Sequence, residues 1–249
     1  MTNFSRASKA RLTRHDLDRF PGSTLFDRAA RAACEAGCLP RKELYETWEV
    51  ARRTRRLFRG GRVVDLASGH GLLAHLMLLL DDTSPAALAV DASLPPSAAK
   101  LQGTFVAAWP RLAGRVAFLE RDIDDVPLDA ADIVVSSHAC GGLTDRILAR
   151  AAGARARVAV LPCCHDLGEG QAGALAGWLD GPVAVDVMRA VRLEQRGYRV
   201  RTQTIPADIT PRNRLLIGEP VAPARRSSEA LSGARARPTT VAESARRRG

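Results

Sequence analysis

Short apolar runs alternate with longer stretches at helical spacing from residue 62 to residue 219, and this alternation restricts the fold more than any other feature. The runs are RVVDLAS, AALAVDAS, RVAFLERD, ADIVVSSH and RVAVLPCC, and their continuous apolar character is typical of parallel strands covered by helices on both faces. The stretches that separate or follow them, each long enough for a helix, are GLLAHLMLLLDD, PPSAAKLQGTFVAAWPRL, TDRILARAAG and QAGALAGWLD. The last two runs, YRVRTQTI and NRLLIGEP, are joined by a connection too short for a helix, so we expect them to pair antiparallel. The pattern predicts an α/β fold with a Rossmann-like, doubly wound, seven-stranded sheet that is mostly parallel and has an antiparallel last strand.

Four segments follow from this pattern. Residues 1–20 are expected to be a flexible basic N-terminus, residues 21–60 to hold one or two helices, residues 61–219 to form the sheet domain, and residues 220–249 to be a disordered basic tail. The chain has no run of eighteen apolar residues and an N-terminus without the apolar stretch of a signal peptide, which predicts a cytoplasmic protein with no membrane partner. Five cysteines, an odd number, indicate reduced thiols.

The net charge of +10 would suit a polyanionic partner, but most of it lies at the two ends of the chain. Residues 21–219 hold 25 basic and 23 acidic side chains. One local cluster stands out: Arg52, Arg53, Arg55, Arg56, Arg59 and Arg62. It is either a solvated helix face or a surface that faces RNA.

A glycine turn follows the first predicted strand, with Gly69-x-Gly71 leading into a helix, as in nucleotide-binding turns. Asp65, four residues before Gly69, discriminates between cofactors. Its carboxylate would repel the pyrophosphate of a dinucleotide, which disfavours an NAD-dependent oxidoreductase. The same carboxylate is complementary to the ammonium and sulfonium groups of S-adenosylmethionine (SAM), and the sequence therefore favours SAM as the cofactor.

Two further strand ends carry candidate cofactor contacts. Asp91 closes the second strand, where it could accept hydrogen bonds from both ribose hydroxyls or simply cap the next helix. Asp122 follows the third strand, where it could accept a hydrogen bond from an adenine amino group, and Ile123 could pack on the adenine ring. The alternative for Asp122 is a solvated loop acid.

Histidines and cysteines follow the fourth and fifth strands, whose carboxyl ends are neighbours in this fold. The residues expected at this mouth are His138, Cys140, Gly141, Asp145, Cys163, Cys164 and His165. His138 or His165 could act as the general base, or either could be a structural histidine, and Asp145 could orient such a base or cap the following helix. Cys140, Gly141, Cys163 and Cys164 are expected to line the substrate pocket.

Metal binding, covalent chemistry and simple packing as small buried residues are the alternatives for these cysteines. We expect no metal site, because the spacing lacks a C-x-x-C pair and extended backbone would point Cys163 and Cys164 to opposite sides. A cysteine nucleophile is disfavoured because a group leaves the sulfonium of SAM by direct displacement, which needs no covalent enzyme intermediate.

The D-x-x-x-G-x-G signature at Asp65, Gly69 and Gly71, the acid Asp91 and the closing antiparallel pair resemble the class I SAM-dependent methyltransferases over residues of about 60 to 219. The resemblance implies the doubly wound fold, SAM as methyl donor and SAM contacts at these four residues.

A narrower resemblance lies in H-x-C-G-x-x-T-D after the fourth strand and C-C-H after the fifth. These motifs resemble the methyltransferase domain shared by eukaryotic tRNA 2′-O-methyltransferases of the C-C-H-H type and the glutathione S-transferase C-terminal-domain-containing protein. RNA is therefore the first acceptor expected, with a small molecule or protein as the alternative and a non-catalytic SAM- or RNA-binding module as the alternative of another class. This chain has Asp166 where the tRNA enzymes have a second histidine.

Overall fold

A seven-stranded sheet forms the centre of the protein, which we describe from a computed structural model covering residues 4–165 and 171–221. The strands are β1 (Val63–Leu66), β2 (Ala87–Asp91), β3 (Val116–Glu120), β4 (Ile133–Ser136), β5 (Arg157–Val160), β6 (Tyr198–Thr204) and β7 (Arg214–Pro220). Their order across the sheet is β3-β2-β1-β4-β5-β7-β6. Strands β1 to β5 run parallel, and β7 pairs antiparallel with both β5 and β6. The predicted fold, with its antiparallel last strand, is confirmed.

Helices cover both faces of this sheet. The helices are α1 (Leu25–Ala36), α2 (Arg41–Leu57), α3 (Leu72–Leu79), α4 (Ser97–Ala108), α5 (Gly142–Ala154) and α6 (Gly181–Gln195). Alternate strand residues enter two separate cores: Val63 joins the core beneath α1 to α4, whereas Val64 joins the core beneath α5 and α6. This two-sided burial explains why the strands are continuously apolar in sequence. None of the helices among the described residues is long and apolar enough to cross a bilayer.

The helix that follows β5 begins later than the sequence analysis predicts. QAGALAGWLD forms only a short 3₁₀ turn at Gly173–Gly177, and the helix proper is α6, which begins at Gly181. Glycine at residues 173 and 177 disfavours helix, whereas Pro182 lies in the first turn, where proline fits without losing a hydrogen bond. The later start matters because α6 carries acidic and basic side chains of the functional site.

The expected flexibility of residues 1–20 is wrong for the described part of that segment. Leu12 and Phe20 are 0% and 2% exposed, and Phe20 packs edge-on against Phe4 and Phe26. Burial of these large apolar side chains fixes residues 4–20 against α1 and α2. Residues 1–3 and most of the predicted tail, residues 222–249, lie outside the described residues.

Candidate active site

The glycine turn connects β1 to α3 at the carboxyl end of the sheet. Gly71 has a φ of +75°, and a Cβ there would lie 2.7 Å from the Phe118 ring, so only glycine fits. Asp91 at the end of β2 holds the turn, because its Oδ2 accepts a hydrogen bond from the Gly69 amide at 2.9 Å. Its Oδ1 accepts a further bond from the Ser93 amide at 3.2 Å. The turn is thus fixed in place by a strand-end carboxylate.

Asp65 lies buried beneath this turn. Its Oδ2 accepts one hydrogen bond, from the Ala74 amide at 3.2 Å. Burial raises the pKa of this carboxyl well above its ordinary value, and the charges of Asp91 and Glu43 raise it further. Three acidic groups therefore act on one small region at the carboxyl end of β1 and β2, which is favourable for a cationic ligand.

His75 on α3 supports the turn from below. Its Nδ1 lies 2.7 Å from the Gly71 carbonyl oxygen, and its ring packs near Phe105 and Phe118 with centroids 5.2 and 6.2 Å away. The carbonyl can only accept, so the ring is the neutral Nδ1–H tautomer. Burial lowers the pKa of His75 to about 4, although the bond to Gly71 opposes the shift.

This histidine predicts an acid-sensitive fold. Because the pKa in the folded protein lies below the ordinary value, protons bind preferentially to the unfolded chain; stability is complete above pH about 6.5 and is lost towards pH 4. We expect His75 to account for a fall of about 1.4 kcal/mol per pH unit over most of that window, about 3 kcal/mol in total. Urea unfolding at several pH values measures this, and His75→Leu should flatten the curve. An equal slope in the variant would contradict the assignment.

Asp122 and Ile123 are both engaged within the protein. Asp122 accepts from the Asp124 amide at 2.9 Å, which lowers the pKa of its carboxyl, and it pairs with Arg146 at 2.6 Å. Ile123 is buried in the core beneath α5 and α6. The adenine contacts expected of these two residues stay a prediction.

His138 follows β4, the strand next to β1. Its Nε2 is buried and has no hydrogen-bond partner among the described residues. The nearest charged oxygen is Oε1 of Glu43 on α2, 3.8 Å away, and the same oxygen lies 3.7 Å from Nδ1 of His70 in the glycine turn. Glu43 therefore lies between two histidines. His138 therefore combines a ring nitrogen that has no partner among the described residues with a nearby carboxylate that would stabilise the imidazolium.

Glu43 and His70 are site residues that the sequence analysis missed. His70 is the x of the Gly69-x-Gly71 motif, a position at which the motif specifies no residue type. The motif therefore gives no reason to assign His70 a role. Glu43 lies in the first turn of α2, where an acid is expected simply from the helix dipole. No local pattern signals that α2 packs over the mouth of the sheet.

His165 is held differently, because both of its ring nitrogens are occupied. Nε2 lies 2.8 Å from Oδ1 of Asp186, and Nδ1 lies 2.8 Å from Nη1 of Arg212. A guanidinium can only donate, so Nδ1 accepts and Nε2 carries the proton. The side chain is 1% exposed, and burial lowers the pKa of this histidine. In this arrangement His165 has no nitrogen with which to take a proton from a substrate.

Asp145 pairs with an arginine and contacts neither histidine. Both of its oxygens accept from Arg189, at 3.2 Å from Nε and 2.8 Å from Nη2. Arg189 is 1% exposed and also donates to the Gly141 carbonyl at 2.9 Å and to Asp186 at 3.2 Å. The loop after β4 is therefore joined to α6 through one buried guanidinium, whereas the loop after β5 is joined to α6 through the contact between His165 and Asp186.

The cysteines of these loops converge. The Sγ atoms of Cys140 and Cys163 are 3.1 Å apart, and those of Cys140, Cys163 and Cys164 all lie within 4.8 Å of one another. The expectation that Cys163 and Cys164 point to opposite sides is wrong, because β5 ends at Val160 and Pro162 starts an irregular segment without strand alternation.

The arginine cluster of residues 52 to 62 is mostly paired with acids. Five of its six members form ion pairs: Arg52 and Arg53 with Glu49, Arg55 and Arg59 with Asp81, and Arg62 with Asp132. Arg62 makes two bonds to its partner, at 2.9 and 2.7 Å. Most of these guanidinium groups therefore hold the protein's own elements together, whereas Arg56 and Arg59 remain exposed.

A cavity of about 450 Å³ opens beside the loop after β5. Its walls are mainly apolar, with the charged side chains Asp186 and Arg214, and the rest of the lining is Pro162, Val183, Val187, Ala190, Val191, Thr202, Gln203, Thr204, Leu215 and Leu216. A larger hollow of about 1040 Å³ lies between the N-terminal segment, α1 and α4, and its lining includes none of the site residues. The smaller cavity reaches the loop after β5 at Pro162 and the His165 partner Asp186, but its lining includes neither His138 nor Gly141 nor any of the three cysteines expected to line the substrate pocket.

The chain was compared with solved structures, with curated proteins and with protein-family profiles. Solved structures similar to the chain include an O-methyltransferase family protein from Burkholderia thailandensis (20% identity, 84% of this chain and 63% of that chain, TM-score 0.48). They also include a putative RNA methyltransferase from Pyrococcus horikoshii (18% identity, 71% of this chain and 82% of that chain, TM-score 0.45). A third is a tRNA methyltransferase from B. subtilis (13% identity, 70% of this chain and 66% of that chain, TM-score 0.48). The chain thus spans less than two thirds of the first of these proteins.

No curated protein matches the chain. A family profile described as a methyltransferase domain matches residues 42–170, which is more than half of the 249 residues. The matched range begins in α2 beside Glu43 and includes the glycine turn, His138 and the three converging cysteines. The chain belongs to this methyltransferase domain family.

Proposed function

We propose that this protein is a SAM-dependent methyltransferase that transfers the methyl group by direct displacement. The observation that carries the proposal is the buried carboxyl of Asp65 under the glycine turn, with Asp91 and Glu43 close enough to raise its pKa. An acidic region suits a cofactor with an ammonium and a sulfonium, and it would repel the phosphates of a dinucleotide. When bound, SAM supplies an electrophilic methyl group.

The residues present fit such a cofactor. Gly69 leaves open space beside the backbone of the turn, Gly71 lets the turn pack closely on Phe118, and Asp91 offers carboxylate oxygens at the end of β2. Asp65 would become ionised beside a cation, which offsets the penalty that burial places on its charge. His138 would accept the acceptor's proton at Nε2, with Glu43 as the group that stabilises the charged ring.

Replacement of Asp65 by asparagine tests this proposal, because it should weaken SAM binding and at the same time stabilise the unliganded protein. Loss of the charge should weaken SAM binding by about 10- to 100-fold, the value of a hydrogen bond to a charged group. The unliganded protein should become more stable at neutral pH, because the wild-type carboxyl has a raised pKa and its ionisation costs stability as the pH rises. Calorimetric titration and urea unfolding measure the two effects. Unchanged SAM affinity in the variant would overturn the role given to Asp65.

For the acceptor, the cavity beside β5 favours a small molecule. Its volume of about 450 Å³ and mainly apolar walls suit a small organic molecule, with Asp186 and Arg214 available to orient it. RNA is the second candidate. It is supported by the net charge of +10 and by the motif likeness to the C-C-H-H tRNA enzymes, whereas most of the arginines between residues 52 and 62 are paired with the protein's own acids. Asp166, where this chain departs from those enzymes, lies outside the described residues.

Transfer of labelled methyl from SAM to fractionated cell extract separates these acceptors. We expect label in the small-molecule fraction that survives nuclease and protease. Label that disappears with ribonuclease would establish RNA instead. Tight SAM binding without any labelled product would favour a non-catalytic binding module.

A further inference from the structure

We propose that Cys140, Cys163 and Cys164 bind a thiophilic metal ion, Zn²⁺, through their three sulfur atoms. The three sulfurs come from two loops, one after β4 and one after β5, and all lie within 4.8 Å of one another. With Zn–S bonds of about 2.3 Å, the sulfurs of a tetrahedral zinc site are about 3.8 Å apart. One ion can therefore bridge this set with side-chain adjustments of about 1 Å.

The two loops are held in this relationship by contacts other than the sulfurs. The Gly141 amide donates to the Cys164 carbonyl at 3.3 Å, and the Cys163 thiol lies 3.7 Å from the Ala139 carbonyl, to which it donates. Gly141 itself has a φ of +56°, a conformation that glycine adopts without strain. Its carbonyl is bound by the buried Arg189. The ligand set is thus arranged by the protein backbone before any ion binds.

Access and ligand chemistry both suit zinc. Cys140 and Cys164 are exposed and Cys163 is partly buried, so an ion from solution can reach the set. Cysteine binds zinc as the thiolate, and a bound dication favours that deprotonated form. Each Cys–SH proton passes to solvent as its Zn–S bond forms. Three sulfur ligands select a soft or borderline ion over Mg²⁺ or Ca²⁺, and a fourth ligand would come from outside the three cysteines.

Metal analysis of the full-length protein tests the proposal. Protein stripped with a chelator under reducing conditions should take up one equivalent of Zn²⁺, and Co²⁺ should produce the charge-transfer absorption of cobalt–thiolate bonds. Cys140→Ser, Cys163→Ser and Cys164→Ser should each weaken zinc binding by at least about 100-fold, since loss of second-shell partners alone costs about 10- to 100-fold.

Cys34→Ala is the matched control, because Cys34 is buried in α1 and belongs to no such cluster. It should bind zinc like the wild-type protein. Absence of stoichiometric zinc, or equal zinc binding in the serine variants, would overturn the proposal, and so would oxidation of Cys140 and Cys163 to a disulfide in place of metal uptake. These readouts do not involve methyl transfer, so they stand or fall separately from the proposed function.

Discussion

Replacement of His138 by glutamine is expected to lower the rate of methyl transfer by about 10²- to 10⁴-fold, the usual contribution of a general base. Its Nε2 has no hydrogen-bond partner among the described residues and lies 3.8 Å from Glu43 at the mouth of the sheet. Glutamine is similar in size but takes up no proton near neutral pH. The initial rate of label transfer to the acceptor identified in extract measures the effect, at saturating SAM.

His15→Gln is the matched control for this substitution, because His15 is an exposed residue of the N-terminal segment. It should transfer methyl at the wild-type rate. SAM affinity of the His138 variant should also stay close to that of the wild type, because the base acts on the acceptor. A His138→Gln rate equal to that of the wild-type protein would remove His138 from the catalytic role.

Replacement of Asp81 by alanine is expected to lower the free energy of unfolding by about 3–5 kcal/mol, the cost of leaving a buried charge without its partner. Arg55 on α2 is 2% exposed and donates to Asp81 at 3.0 Å, and burial lowers its pKa to about 10. Asp81 also accepts from the Gly60 amide at 2.9 Å and from the Thr83 hydroxyl at 2.7 Å. The substitution therefore affects the attachment of α2, the helix that carries Glu43, to the end of α3.

The neighbouring Asp82 provides the control for this prediction. Its side chain is 77% exposed and contacts only Arg111 among the ion pairs of the described residues, so Asp82→Ala should cost about 0.5 kcal/mol or less. Urea unfolding with linear extrapolation compares the variants. Adding Arg55→Leu to Asp81→Ala should recover part of the lost stability, because the unpaired charge is removed. Equal stability losses in the two aspartate variants would contradict the importance given to the buried pair.

Much of the fold and part of the site could be predicted from sequence because the signals are local. The strands are short apolar runs, and Asp65, Gly71 and Asp91 lie at strand ends whose positions follow from those runs. Topology then brings the carboxyl ends of parallel strands to one edge of the sheet. The strand pattern therefore predicts that Asp65, Gly71 and Asp91 lie near one another at this edge, as the structure has them.

The roles of the two histidines could not be separated from sequence. His165 is occupied by Asp186 and Arg212, which are 21 and 47 residues further along the chain. His138 is left free beside Glu43, which comes from a helix that precedes the sheet. Such differences depend on packing between distant segments. The convergence of the three cysteines also depends on packing between distant segments, although Pro162 indicates locally that strand alternation ends before Cys163.

The order of the N-terminal segment also depends on packing against residues that are distant in sequence. Its composition is basic, and charge alone favoured a flexible extension. Two large apolar residues, Leu12 and Phe20, are enough to fix its described part because α1 and α2 offer an apolar surface to receive them. The sequence alone does not predict that apolar surface, because it forms only when α1 and α2 pack together.

Cofactor titration of the purified full-length protein tests the central claim most directly. We expect SAM to bind at one site per chain and NAD to give no binding heat. We also expect Asp65→Asn to lower the affinity for SAM while the protein stays folded. Binding of NAD with no binding of SAM would contradict the account.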